Sequence, residues 1–129
     1  MLVSDNPEPF WMVNLIKFFD KARYRDGRES DLTGAEANEL YAQALAPAIL
    51  GHNSFPELMM PVSVILTEEP FVWEQAAIVR YASRDAFLNI FTLNPDVSDA
   101  VVHKDAAVEN TQVYITDMEN ETDNARRRI

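Results

Sequence analysis

Cysteine is absent from the chain. That excludes disulfide frameworks, thiol nucleophiles, cysteine-ligated zinc and iron–sulfur clusters. Glycine occurs only three times in 129 residues. The chain therefore has no phosphate-cradling loop and no dinucleotide-binding turn. Positive charge is also scarce, with 11 basic residues against 21 acidic ones and a formal net charge of -10. A protein that neutralises phosphates needs a basic footprint, so nucleic acid and anionic membrane surfaces are excluded as expected partners. No apolar run approaches the roughly 20 residues that span a bilayer. Residues 1–9 carry Asp5, Glu8, Pro7 and Pro9 in place of a basic, apolar leader, so the expected compartment is the cytoplasm. No HExxH, no nucleophile elbow and no calcium-binding loop is present.

The length suits one domain, and hydrophobic residues at 47% are enough for a core without staples. The expected organisation is an extension over 1–9, one domain over 10–117 and a polar tail over 118–129. The tail balances Glu119, Glu121 and Asp123 against Arg126, Arg127 and Arg128, so the acidic excess lies in the body. Lys17, Lys21, Arg23, Arg25 and Arg28 form one positive stretch on that body.

Phe10–Phe19 is apolar, aromatic and β-branched, the pattern of a buried central strand. Thr33 and Glu36 make a capping box at the start of a helix. Leu40, Tyr41, Ala44, Leu45, Ala48 and Ile49 continue that helix as one stripe. Pro47 marks a kink or its last turn, and Gly51 stands at the expected C-terminal cap. Leu58–Thr67 reads as a strand, with Pro61 assigning it to an edge. Phe71–Tyr81 reads as a third strand with Trp73, Gln75, Ala77, Val79 and Tyr81 on one face. Ser83 caps a short helix, and Asn94-Pro95 stops it and starts another, which carries Val97, Val101, Lys104 and Val108. Thr111–Thr116 alternates as a last strand.

The order β-α-β-β-α-β, with the second helix split, predicts a ferredoxin-like α+β domain with a four-stranded antiparallel sheet. Helices cover one sheet face only. Phe10–Phe19 is apolar on both faces, with Trp11, Val13 and Leu15 against Met12, Ile16 and Phe18. A lone protomer would expose a large apolar patch, so a sheet-to-sheet homodimer is expected.

Several segments resemble the bacterial family called domain of unknown function 1330. They are Val13-Asn14-Leu15-Ile16-Lys17-Phe18, the helix with Ala35-Glu36-Ala37 and Tyr41, and Trp73 through Tyr81-Ala82-Ser83-Arg84-Asp85-Ala86-Phe87-Leu88. Asn94-Pro95-Asp96 and His103-Lys104-Asp105-Ala106-Ala107-Val108-Glu109-Asn110-Thr111 complete the likeness. The resemblance implies a dimeric α+β barrel. The wider superfamily spans cofactor-free monooxygenases, haem enzymes, isomerases and binders, and fold does not choose among them.

The candidate catalytic residues are His103, Asn14 and Arg80. His103 has Asp99 four residues before it, a spacing that can orient a general base or form a surface pair. Asn14 sits in the most apolar strand, where its amide must either bridge backbone groups or face a polar pocket. Arg80 is either solvated at a strand end or placed to hold a carboxylate or oxyanion. Tyr41, Trp73, His52 and Arg23 are the candidate substrate-binding residues. Tyr41 faces inward from the first helix, Trp73 is a wall, His52 caps the helix end or joins the site, and Arg23 belongs to the basic stretch. That stretch is a solvated loop or a lid. No cofactor and no metal is expected. The reading is a pocket between sheet and helices for a small apolar or acidic metabolite, with cofactor-free oxygenation or an isomerase-like proton transfer as its chemistry. The alternative is a non-enzymatic dimeric protein-interaction module.

Overall fold

The structure, a computed structural model, describes residues 7–63, 66 and 72–117. The expected tail and most of the N-terminal extension lie outside the described residues. Strand β1 (Phe10–Phe18) is followed by α1 (Gly34–Gly51), β2 (Phe55–Pro61), β3 (Gln75–Tyr81), α2 (Arg84–Thr92), α3 (Pro95–Ala107) and β4 (Val108–Asp117). The strands form one antiparallel sheet in the order β2-β3-β1-β4. This is the ferredoxin-like α+β plait.

The most apolar strand lies at the centre, between β3 and β4. Both edges of β1 are therefore paired, and both of its faces are half-buried or better. Strand β2 is an edge strand. Pro56 and Pro61 fit there because neither can donate to a ladder.

Helix α1 begins as its sequence specifies. Thr33 Oγ1 accepts from the Glu36 N–H at 3.1 Å, and Glu36 Oε1 accepts from the Thr33 N–H at 2.9 Å. Gly34 touches backbone. A Cβ at that position would meet the carbonyl oxygens of Phe19 and Ala107, so the helix can approach this closely only with glycine. Pro47 lies within the last turns, and α1 runs on to Gly51. The expected cap at Gly51 is corrected by one residue. His52 is the C-cap, and Asn53 takes the left-handed conformation at φ 56° that ends the helix.

Strand ends depart from their sequence readings. Strand β2 starts at Phe55, directly after the Asn53 turn, and ends at Pro61; residues 64, 65 and 67 of the expected strand lie outside the described residues. Strand β3 starts at Gln75; Glu74 before it bonds Val62 and Ile16 through its backbone, and Phe71 of the expected strand lies outside the described residues. Strand β4 begins at Val108, because α3 leads straight into it, with a register shift opposite Lys17 and Phe18. Asn94 also acts differently from expectation. It makes no side-chain cap on α3. Its Nδ2 donates back to Ile90 O at 2.9 Å and Asn89 O at 3.3 Å, satisfying the carbonyls that end α2.

The core has two centres. Phe10, Ala48, Ile49, Val79, Tyr81, Ile90 and Val97 form one between sheet and helices. Phe18, Ala22, Ala37, Ala106 and Ala107 form the other, where the loop after β1 meets α1 and α3. The second sheet face carries Trp11, Val13, Leu15, Ala76 and Ile78, all half-buried, ringed by exposed Phe55, Met60 and Tyr114. The described helices all lie on the opposite side.

Candidate functional site

A cavity of about 420 Å³ lies between α1 and the sheet. Its existence follows from side-chain size. Helix α1 directs Asn38, Tyr41, Ala42, Leu45, Ala46 and Ile49 at the strands, and two of these are alanine. The strand position beneath is Ala77. Small residues on both layers leave the gap between helix and sheet unfilled. Wall residues come from both edge strands, Pro56 and Met59 on β2 and Val108, Thr111 and Val113 on β4. The cavity thus crosses the width of the sheet.

Asn14 is at its centre. Met59, Ala77, Asn14 and Val113 stand in one row across the four strands. Asn14 Nδ2 donates to Ala77 O at 3.3 Å and to Met12 O at 3.4 Å. The amide nitrogen is tied to backbone, and the residue lies on the cavity wall.

Two phenols add donors. Tyr41 and Tyr81 are both buried and both on the wall. Burial, and next the negative charge of Asp105, pushes the Tyr41 hydroxyl up to about 12. Burial, reinforced by Tyr41, raises the Tyr81 hydroxyl as well. Each phenol therefore stays protonated through the ordinary pH range and acts as a hydrogen-bond donor. Tyr81 is fixed by Phe10, stacked at 5.4 Å, and by Phe87, edge-on at 4.9 Å. Phe87 and Phe91, 5.1 Å apart, complete the apolar end beside Ile49 and Met12. Lys104 lies at the opposite, polar side, its Nζ 5.5 Å from the Tyr41 ring centre.

The other sequence candidates lie elsewhere. His103, beside Lys104 on α3, turns to the loop after β1. Its Nδ1 is 2.7 Å from Tyr24 Oη, and the rings meet edge-on at 5.6 Å. The bond recorded for His103 is thus to Tyr24 and not to Asp99. His52 Nε2 receives the Asn94 Nδ2 group at 3.2 Å, joining the end of α1 to the α2–α3 junction. Arg80 is on the helix-free face, paired with Trp11 and Phe55 in register, its guanidinium 5.8 Å from the Trp11 ring centre. Trp73 is buried just before β3 and is not on the cavity wall. Arg23 stacks over Phe19 at 4.4 Å, and its N–H donates to Ala106 O at 2.8 Å. The basic loop is thereby fastened to the end of α3. It encloses a separate polar hollow lined by Lys21, Arg23, Tyr24, Arg28, Ser30 and Asp31.

Of the sequence candidates the structure brings Asn14 and Tyr41 together. It adds Tyr81, Lys104, Asn38 and Gln75. Lys104 had a visible signal, since it falls on the stripe of Val97, Val101 and Val108. Tyr81 had one too, in its alternation with Ala77 and Val79. Among the described residues no group of three or more His, Asp or Glu side chains could hold a metal ion.

No family model matches the chain, and no curated protein matches it. Solved structures do. A protein of unknown function from Rhodopseudomonas palustris, RPA0582, superposes with a TM-score of 0.80 at 25% identity, over 91% of this chain and 87% of that one. A dabb family protein with a ferredoxin-like fold from Mesorhizobium loti matches with a TM-score of 0.54 at 12% identity, over 87% and 98%. A candidate antibiotic biosynthesis monooxygenase from Caulobacter crescentus CB15 matches with 0.55 at 15%, over 88% and 92%. The fold is shared; a likeness this distant says nothing of activity. Among the described residues, no helix is long and apolar enough to cross a membrane.

Proposed function

We propose that the protein binds a small, largely apolar metabolite in the cavity beneath α1, and that it does so as a cytoplasmic homodimer. The observation that carries the reading is the composition of the wall. Apolar side chains dominate it, and a few convergent polar groups (Asn14 Oδ1 and the hydroxyls of Tyr41 and Tyr81) stand among them. Ligand sites of roughly 300–1,000 Å³ have this character. A carbonyl on the ligand would accept from the phenols, and a hydroxyl or N–H would donate to Asn14.

The titratable groups on the wall are Glu39, Tyr41, Tyr81 and Lys104. Neither phenol is a base near neutral pH, and both histidines bond elsewhere. Glu39 is the carboxylate on the wall that could take a proton, as an isomerase-like transfer requires. Cofactor-free oxygenation by dioxygen, in which the ligand's proton passes to Glu39 or water and the phenols stabilise the developing oxyanion, fits the same groups.

The homodimer rests on the second sheet face. Trp11, Val13, Leu15 and Ile78 form its centre, with no described helix over them. Apolar area of this kind in a soluble protein is ordinarily covered. Membership of the family called domain of unknown function 1330 is part of the same proposal, supported by the quoted segments.

The test is a thermal-shift screen of the protein against a metabolite library, with Ala46→Phe in parallel. Ligands should raise the melting temperature by mass action. Ala46→Phe, which fills the cavity from α1, should fold and abolish the shift. Equal shifts in both proteins would place the ligand elsewhere.

A further inference from the structure

We propose that the cavity selects ligands with an anionic head, a carboxylate on an apolar body, and that Lys104 is the residue that selects it. The inference rests on the cavity reading above. Lys104 is the cation on the cavity wall. The other described cations are committed or distant. Lys17 pairs with Glu109, Lys21 with Asp31, Arg28 with Asp26 and Arg84 with Asp117. Arg23 stacks on Phe19 and Arg80 on Trp11, and Arg25 is in the loop after β1, off the cavity wall. Lys104 makes no ion pair among the described residues; its recorded contact is the face of Tyr41.

Its position is unusual for a lysine. It follows Val97 and Val101 at helical spacing on α3, one turn before the helix runs directly into β4 at Val108. A carboxylate beside Lys104 would also be near Tyr41, whose hydroxyl can donate to it; the Thr111 hydroxyl already donates to Leu15 O at 2.9 Å. Charge-assisted hydrogen bonds to such a head are the strong ones. The hydrocarbon would then lie along Leu45 and Ile49 to Phe87 and Phe91. The acidic wall residue, Glu39, stands on α1 two residues before Tyr41 and would repel a carboxylate placed beside it, so the head is expected at Lys104.

The experiment compares matched probes: octanoate with octanamide and octylamine, and 2-naphthoate with 2-naphthamide. Affinities are measured by calorimetric titration of the wild-type protein, Lys104→Met and Lys104→Arg. The acids should bind the wild type about fivefold more tightly than the amides, the upper end of what an exposed charge pair contributes. That preference should fall with rising salt. It should vanish in Lys104→Met, with amide affinity unchanged, and persist in Lys104→Arg. Equal affinity of acids and amides for the wild type, or tighter binding of octylamine, would overturn the assignment while leaving the cavity reading standing. Failure of every probe to bind the wild type would overturn both.

Discussion

Asn14 and Ala77 face each other across β1 and β3, and the asparagine amide donates to the alanine carbonyl at 3.3 Å. The pairing of a polar side chain with a very small one, in the centre of a sheet, creates both the space and its acceptor. Replacing Asn14 by leucine separates the two roles. The backbone carbonyls it bonds already belong to ladder strands, and an apolar isostere leaves no buried donor orphaned. The stability change should stay within about 1 kcal/mol in urea unfolding. Ligand affinity should fall roughly tenfold, the worth of one buried hydrogen bond. A large stability loss with unchanged affinity would show that Asn14 serves the sheet alone.

The phenols give the pH dependence. Tyr41 is held neutral in the folded state up to about 12, above its ordinary value of 10.0. Tyr81 is raised in the same direction. Below the unfolded value both states are neutral, and no stability is lost. Above it, the unfolded chain releases protons that the folded one retains, so stability falls as pH rises from about 10 to 12. Chemical denaturation across this range should show the decline, and tyrosinate absorbance should show Tyr41 and Tyr81 titrating late. Tyr41→Phe should flatten the decline. A stability curve level to pH 12 would contradict the burial of these hydroxyls.

Leu15 tests the other face of β1. It points away from the helices, half-buried beside Ala76 and Gln112. Leu15→Glu should leave the protomer folded and convert the dimer to a monomer in light scattering. A charge buried without a partner at an interface costs several kcal/mol. A wild-type protein that already scatters as one copy would remove the dimer from the account.

The sequence carried the architecture well, for reasons visible in single residues. Thr33 and Glu36 form the capping box that their spacing specifies. Pro61 ends an edge strand, and Ser83 Oγ accepts from the Ala86 N–H at the head of α2. These signals are local, and local geometry satisfies them. Strand limits were less legible, because β2 and β4 begin where a preceding helix lets go and not where alternation starts.

The site was legible in part. Asn14 and Tyr41 stood out as polar groups on apolar faces, and both line the cavity. Arg80 did too, but the parity of β3 puts it on the helix-free face, opposite to Ala77 and Val79. His103 and His52 attracted notice for their chemistry, yet each is bonded to another element, Tyr24 in one case and Asn94 in the other. Such pairings depend on contacts 79 and 42 residues apart in the chain. Spacing along one helix does not reveal them. The cavity itself comes from what Ala42, Ala46 and Ala77 leave unfilled, and an alanine on a helix reads first as a good helix former.

The most direct measurement uses the methionine methyl groups as reporters. Met12 and Met59 line the cavity, whereas Met60 lies on the opposite face, across from Ala76. With methyl-labelled protein, titration of 2-naphthoate should move the Met12 and Met59 resonances and leave Met60 in place. Movement of Met60 with Met12 and Met59 unchanged would put the ligand on the helix-free sheet face and contradict the central claim.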